Sequence, residues 1–324
     1  MCIRDSLKVE NLIDPEKIID PIIDEYHTVL NNLAEKLFDE GKISSKYEDL
    51  DFGERVTRIY AESGEVYNQF FDFSLPQTGI KEDTPFWAGP AVFNALKDDN
   101  LLDAVESIIG HEIFSNPIQH VRIKVPESEA PKDENGLVKF GATPWHQDAG
   151  VATEEVDGTN MLTVWFPLMD ASEENGCLQV VPGSHEGKVL THCPGFNPKT
   201  GKINRSLNAG GLQIPTSLFE ESSAMAVPMK KGDALFLTKK TVHSALPNIS
   251  DKIRWSFDLR YQPIGEPTGR DIFPGFVARS NDNPDQVLDD PNIWFDLWES
   301  TRDNLAKQEQ FAFNRWDGED VACA

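Results

Sequence analysis

The 324 residues suffice for one large domain or two small ones, and 39% hydrophobic with 10% aromatic content points to a globular protein with a buried core. Thirty Lys and Arg against 54 Asp and Glu give a formal charge of -24, which repels phosphate backbones and anionic membrane surfaces and argues against nucleic-acid or membrane partners. No apolar run approaches the roughly 18–20 residues of a bilayer span, and residues 1–6 are not followed by a secretory-type apolar stretch, so a soluble, cytoplasmic protein is expected.

Cys2, Cys177, Cys193 and Cys323 lack the short spacings of a zinc site and the density of a disulfide framework, which fits a reducing compartment. Residues 1–12 bear little relation to the amphipathic text that follows and read as a disordered tail of uncertain origin. From 14 to about 40 the apolar positions Ile18, Ile19, Ile22, Ile23, Tyr26, Leu30, Leu33 and Leu37 recur three and four apart, with Pro15 suited to a first turn, and predict a helix. Further helical periodicity runs through 51–72 and 91–109, which makes residues 13–115 mainly helical.

From about 116 to 263 the text becomes short β-rich runs, IQHVRIKV, MLTVWFPL, CLQVV, DALFL and IRWSFDLRYQ, separated by Gly, Pro, Asn and Asp, which suggests a sandwich or jelly roll. Two excursions interrupt it: 126–139 is charged and loop-like, and 184–223 is too long for an ordinary connection. Asn175-Gly176 and Pro182-Gly183-Ser184 are turn signals. A C-terminal extension, 264–312, carries Arg270, Phe273, Phe276 and Arg279, which could cover a substrate mouth or simply pack, and a helical stretch at 292–308. Residues 313–324 read as a flexible tail, leaving 13–312 as a single domain.

The strongest chemical signal is Trp145-His146-Gln147-Asp148, because residues two apart in an extended segment point the same way and can reach one metal ion. A second imidazole would complete a two-His, one-carboxylate set of the kind that serves non-haem iron(II) and oxygen. The candidates are His27, His111, His120, His185, His192 and His243. His27 and His111 read better as ordinary histidines, and His185 and His192 as solvent-exposed loop residues. His243 stands out by context, following the turn and strand of Gly232-Asp233-Ala234-Leu235-Phe236-Leu237. Eleven residues later Arg254 lies on a run that alternates cleanly, with Ile253, Trp255, Phe257, Leu259 and Tyr261 on one face and Arg254, Ser256, Asp258 and Arg260 on the other. A guanidinium fork there is suited to a carboxylate such as the distal group of 2-oxoglutarate, the plainer alternative being an ion pair with Asp258.

WHQD, the later NGCLQVVPGSH, and His243 followed eleven residues on by Arg254 resemble the phytanoyl-CoA dioxygenase family over roughly residues 119–263. The resemblance implies a mainly β fold with flanking helices, in which N-terminal and C-terminal helices pack a cupin-like double-stranded β-helix core. It also implies an enzyme that uses Fe(II), 2-oxoglutarate and O2 to hydroxylate a small molecule. His146, Asp148 and His243 match that family's metal and catalytic residues and Arg254 its co-substrate anchor, with Lys124, Thr163 and Trp165 lining the co-substrate pocket. Asp148 favours hydroxylation, because halogenating relatives lack this carboxylate. Ser244-Ala245 departs from relatives that carry a hydroxyl two positions after the distal His. A non-catalytic jelly-roll binding protein and a metal-dependent hydrolase using the same ligands are the alternatives.

Overall fold

The computed structural model describes residues 2–3, 5–194, 196–197, 202–203, 212–309, 315–316 and 320–323. The first third is helical, as the periodicity predicts, with breaks where local chemistry imposes them. The Asp14 carboxylate accepts from the backbone N–H of Glu16 and Lys17 and opens a turn, Pro15–Ile19, that runs into α1 (Asp20–Asp39). Helix α2 (Phe52–Ser63) stops short of the predicted 72 because Gly64 takes a left-handed conformation at φ 71°. The periodic stretch 91–109 is two helices, α3 (Pro90–Leu96) and α4 (Asp99–Ile109), since the Asp98 side chain caps a new helix by accepting from Leu101 N–H.

The rest is antiparallel β-structure with one C-terminal helix, α5 (Pro291–Leu305), anchored by buried Trp294 and Trp298. The labelled strands in chain order are β1 (Ser6–Val9), β2 (Ile113–Ser115), β3 (His120–Lys124), β4 (Leu162–Pro167), β5 (Leu178–Val180), β6 (Met225–Val227), β7 (Ala234–Thr238), β8 (His243–Ala245), β9 (Arg254–Pro263) and β10 (Phe276–Arg279). The large sheet runs from the short strand Cys2–Ile3 through β1, β7, β4, β9 and β2 to β10, while β3 also pairs with β9. A smaller sheet has the order β6-β5-β8. Leu178, Val180, Val227 and Ala245 of the small sheet pack with Trp165, Leu235 and Leu237 of the large one, so the two sheets face each other.

Strand β9 organises both sides of the large sheet. Trp255, Phe257, Leu259 and Tyr261 point into the helical layer, where Phe52 of α2 stacks on Trp255 at 4.4 Å and Tyr26 of α1 meets it edge-on at 5.3 Å. The alternate residues Arg254, Ser256 and Arg260 are just as buried but face the small sheet. A buried polar face on a long central strand makes no sense as packing alone and marks where the chemistry lies.

Both terminal expectations need correction. Ser6–Val9 is a strand paired with β7 on one side and with Cys2–Ile3 on the other, with Leu7 and Val9 against the core and Lys8 Nζ 3.1 Å from Asp233, so this part of 1–12 is not a disordered tail. At the other end a disulfide joins Cys193 to Cys323, a pairing that short-spacing rules miss because its partners lie 130 residues apart. That bond also removes the support the cysteines lent to a reducing compartment, and with Arg315 and Trp316, which contact the body of the protein, it corrects the reading of 313–324 as a free tail for its described residues. Among the described residues no helix is long and apolar enough to cross a membrane.

Candidate metal centre

His146 and His243 are brought together by backbone pairing: each N–H donates to the other's carbonyl, at 2.9 and 3.0 Å, in an isolated bridge that extends the small sheet beyond β8. Their imidazole centroids lie 4.2 Å apart. Two residues after His146, Asp148 opens a short helical turn, Asp148–Val151, and its Oδ1 lies 3.8 Å from His146 Nε2 and 4.0 Å from His243 Nε2. One donor atom from each residue falls within 4.8 Å of the others, and Asp148 is fully buried.

The imidazoles are oriented for metal binding. His146 Nδ1 donates to Pro144 O and His243 Nδ1 to Thr241 O, both at 2.9 Å, which fixes the tautomer and leaves each Nε2 lone pair facing Asp148. Burial, reinforced by the neighbouring His243, holds the His146 pKa well below the usual histidine value, so the ring is neutral and ready to act as a ligand. Burial pushes the Asp148 carboxyl up, but the Arg260 guanidinium, the two imidazoles and the Thr163 hydroxyl outweigh it and keep Asp148 ionised below the usual carboxylate range. Two imidazoles and one carboxylate form a donor set that fits a divalent transition ion.

The sequence also singles out four neighbours, and the structure places all four on the inner face of the large sheet. Arg254 is 1% exposed; its Nε donates to Gly176 O at 3.1 Å, one terminal nitrogen donates to Ser256 Oγ at 2.6 Å, and its guanidinium lies 5.7 Å from the Trp165 ring centre. Among the described residues no carboxylate lies within ion-pair distance of it, so the suspected bridge to Asp258 is absent. Burial, with Arg122 adding like charge, pushes the Arg254 pKa down to about 9. Lys124 sits opposite Arg254 in register, donates to Gly141 O and Thr143 Oγ1, and is likewise depressed by burial and by Arg254. Thr163 donates to Asp148 Oδ2, which makes it a support for the carboxylate. Trp165 is buried between the sheets.

A family model for phytanoyl-CoA dioxygenase matches residues 81–256, more than half of the chain and inclusive of this constellation. The chain belongs to the phytanoyl-CoA dioxygenase family. It is 26% identical over 205 residues to phytanoyl-CoA dioxygenase domain-containing protein 1 of Danio rerio, covering 60% of this chain and 65% of the relative. To the protein of the same name from Bos taurus it is 32% identical over 117 residues, covering 35% of this chain and 36% of the relative. The matches thus span less than two thirds of those relatives. Among solved structures it is similar to EvdO2 from Micromonospora carbonacea var. aurantiaca complexed with 2-oxoglutarate, at 26% identity and a TM-score of 0.40, over 54% of this chain and 60% of that one.

Within this member of the family two features escape a motif search. Arg260, on the polar face of β9 six residues beyond Arg254, makes a charge-assisted hydrogen bond to Asp148 Oδ1 and reaches Asp258 at 3.5 Å. Its place on the same alternating face as Arg254 is the signal that could have found it. The second feature corrects an expectation: His192 is wholly buried, not exposed. Its Nε2 accepts from Gln147 N–H at 2.9 Å, between the two candidate ligands, and its ring stacks 5.5 Å from Trp316. The remaining histidines lie elsewhere, His27 against Phe52, His111 on the surface, His120 against Asp72 and Ser74, and His185 near Asp5. Ser244 Oγ accepts from Gln179 and is occupied there.

Proposed function

We propose that this protein is an iron(II)- and 2-oxoglutarate-dependent oxygenase that hydroxylates a small molecule, with His146, Asp148 and His243 as metal ligands. The two facing sheets are read as a cupin-like jelly roll, in one domain that includes β1. The observation that carries the reading is Arg254, a buried guanidinium with no carboxylate partner among the described residues, on the face that Asp148 joins through Arg260. Such a charge calls for an anion from outside the chain. The distal carboxylate of 2-oxoglutarate meets that need, with Lys124 beside it and Trp165 as an apolar wall.

When bound, iron would supply the oxidative decarboxylation of 2-oxoglutarate by O2 to succinate and CO2, coupled to hydroxylation of a C–H bond. The chain's own residues bind and orient. His146 and His243 are oriented by the Pro144 and Thr241 carbonyls so that each Nε2 faces Asp148, Thr163 and Arg260 fix the Asp148 carboxylate, and the apolar packing of Trp165, Leu235 and Leu237 excludes water from the co-substrate side. A hydrolase with the same ligands would leave Arg254 without a task.

Thermal unfolding with and without manganese(II) as a redox-silent stand-in tests the reading. Through binding linkage, 2-oxoglutarate at a hundred times its Kd should add about 2.7 kcal/mol of apparent stability, and only in the presence of metal. Arg254→Ala should lose most of the shift at the same concentration. A 2-oxoglutarate shift independent of metal, or none at all, would contradict the assignment.

A further inference from the structure

We propose that Arg122 and Arg270 form a second anion subsite, which grips an oxyanion, carboxylate or phosphate, carried by the primary substrate. The inference rests on the oxygenase reading, since it takes Arg254 and Lys124 as the co-substrate's partners and asks what the remaining cations do.

On the inner face of the large sheet, β3 contributes His120, Arg122 and Lys124, and β9 contributes Arg254, Ser256, Asp258 and Arg260; Arg122 stands opposite Ser256 in register, between Lys124 and His120. Arg270 reaches the same region from the segment after β9. Its terminal nitrogen donates to Val151 O at 3.2 Å, on the turn that begins at Asp148, and the side chain is 4% exposed. In a chain of net charge -24 this face gathers five cations.

The nearby carboxylates are already engaged. Asp148 and Asp258 both bond to Arg260, and Asp72 bonds to His120. With the co-substrate's carboxylate on Arg254 and Lys124, two guanidinium groups are left. Arg122 has no hydrogen-bond or ion-pair partner for its side chain among the described residues and lies over the face of Phe140, 5.9 Å from the ring centre. Arg270 has a fully buried Nε with no acceptor among the described residues. A buried N–H of a charged group left without an acceptor is costly and rare in a finished protein, and such a group at Arg270 together with the half-buried, counter-ion-free Arg122 in the same region calls for a shared anion. The two arginines also feel each other, since the Arg270 pKa is depressed by burial first and then by the like charges of Arg260 and Arg122. An anion between them would relieve that repulsion, and Phe140 would cover its hydrocarbon part.

The test is calorimetric titration of the full chain, loaded with manganese(II) and saturated with 2-oxoglutarate so that the Arg254 site is filled. Hexanoate, hexyl phosphate, hexanamide and hexylammonium are the probes. At least one anionic probe should bind ten times more tightly than the amide or the amine, and which anion wins identifies the substrate class. Arg122→Gln and Arg270→Gln should each weaken that binding about tenfold or more, and Arg270→Lys should recover part of it. The 2-oxoglutarate affinity of the Arg270 variants should move less than about threefold, because Arg254 and Lys124 are untouched. Half-buried Arg122→Gln and charge-conserving Arg270→Lys keep the test available if Arg270→Gln fails to fold. Equal binding of acid and amide, no charge-selective binding by wild type, or anion binding unchanged in the variants would overturn the proposal. Absence of metal-dependent 2-oxoglutarate binding at the first step would instead overturn the oxygenase reading, while charge-selective probe binding can still be measured on the metal-free protein.

Discussion

At the scale of single residues, the candidate centre depends on groups that hold other groups. Thr163 donates to Asp148 Oδ2 and Arg260 to Oδ1, so the carboxylate is fixed from both sides. Thr163→Val keeps the shape and removes one of those bonds; manganese(II) affinity should fall roughly tenfold, as for other supporting hydrogen bonds to metal ligands, in a direct metal titration. Unchanged affinity would return Thr163 to a pocket-lining role. His192 carries a pH prediction. Burial lowers its pKa to about 4 against about 6.5 in the unfolded chain, so between those values only the unfolded chain takes up the proton. Stability is therefore complete above pH 6.5 and declines as pH falls. Between pH 7 and pH 5 the metal-free wild type should lose about 2 kcal/mol more than His192→Gln, read from urea midpoints. Equal losses would mean that His192 is protonated in the folded state.

At the scale of elements, legibility followed periodicity. The run 253–262 could be read as a strand with one apolar and one polar face because its alternation spans ten residues, and that reading carried Arg254 with it. Helix α1 was equally readable from its three- and four-residue spacing. Ser6–Val9 was not, because four residues of alternation are too few to register and its pairing with β7 lies more than 220 residues away. Arg260 could be placed on the right face, but its bond to Asp148 depends on how a loop at 148 folds back on a strand at 260. The C-terminal segment is the clearest case of structure that sequence does not reveal. Arg315 donates to Ala149 O, Trp316 Nε1 to Gly150 O, and Cys323 is bonded to Cys193, so this segment straps the turn that carries Asp148. Cys323→Ser should cost about 2–4 kcal/mol by releasing a long loop closure, and a dithiol reductant should lower the unfolding free energy of wild type by a similar amount, read from urea midpoints. No difference between oxidised and reduced wild type would show that the strap is held by Trp316 and Arg315 alone.

For the molecule as a whole, the distribution of charge is the informative quantity. A chain with 24 more acidic than basic side chains keeps Arg122, Lys124, Arg254, Arg260 and Arg270 at one inner face and leaves its acids largely to the surface. That arrangement concentrates positive charge at the inner face, inside an exterior that by itself repels anions, and it unites the co-substrate with the proposed substrate subsite. The central claim, that this face supports iron- and 2-oxoglutarate-dependent oxygen chemistry, is tested most directly by succinate release from protein loaded anaerobically with iron(II), then given 2-oxoglutarate and air. Wild type should form succinate slowly even without its primary substrate, His146→Ala should form none, and Arg254→Ala should need at least tenfold more 2-oxoglutarate, the loss expected of a charge-assisted bidentate contact. Succinate formation that survives His146→Ala, or none from wild type, would contradict the account.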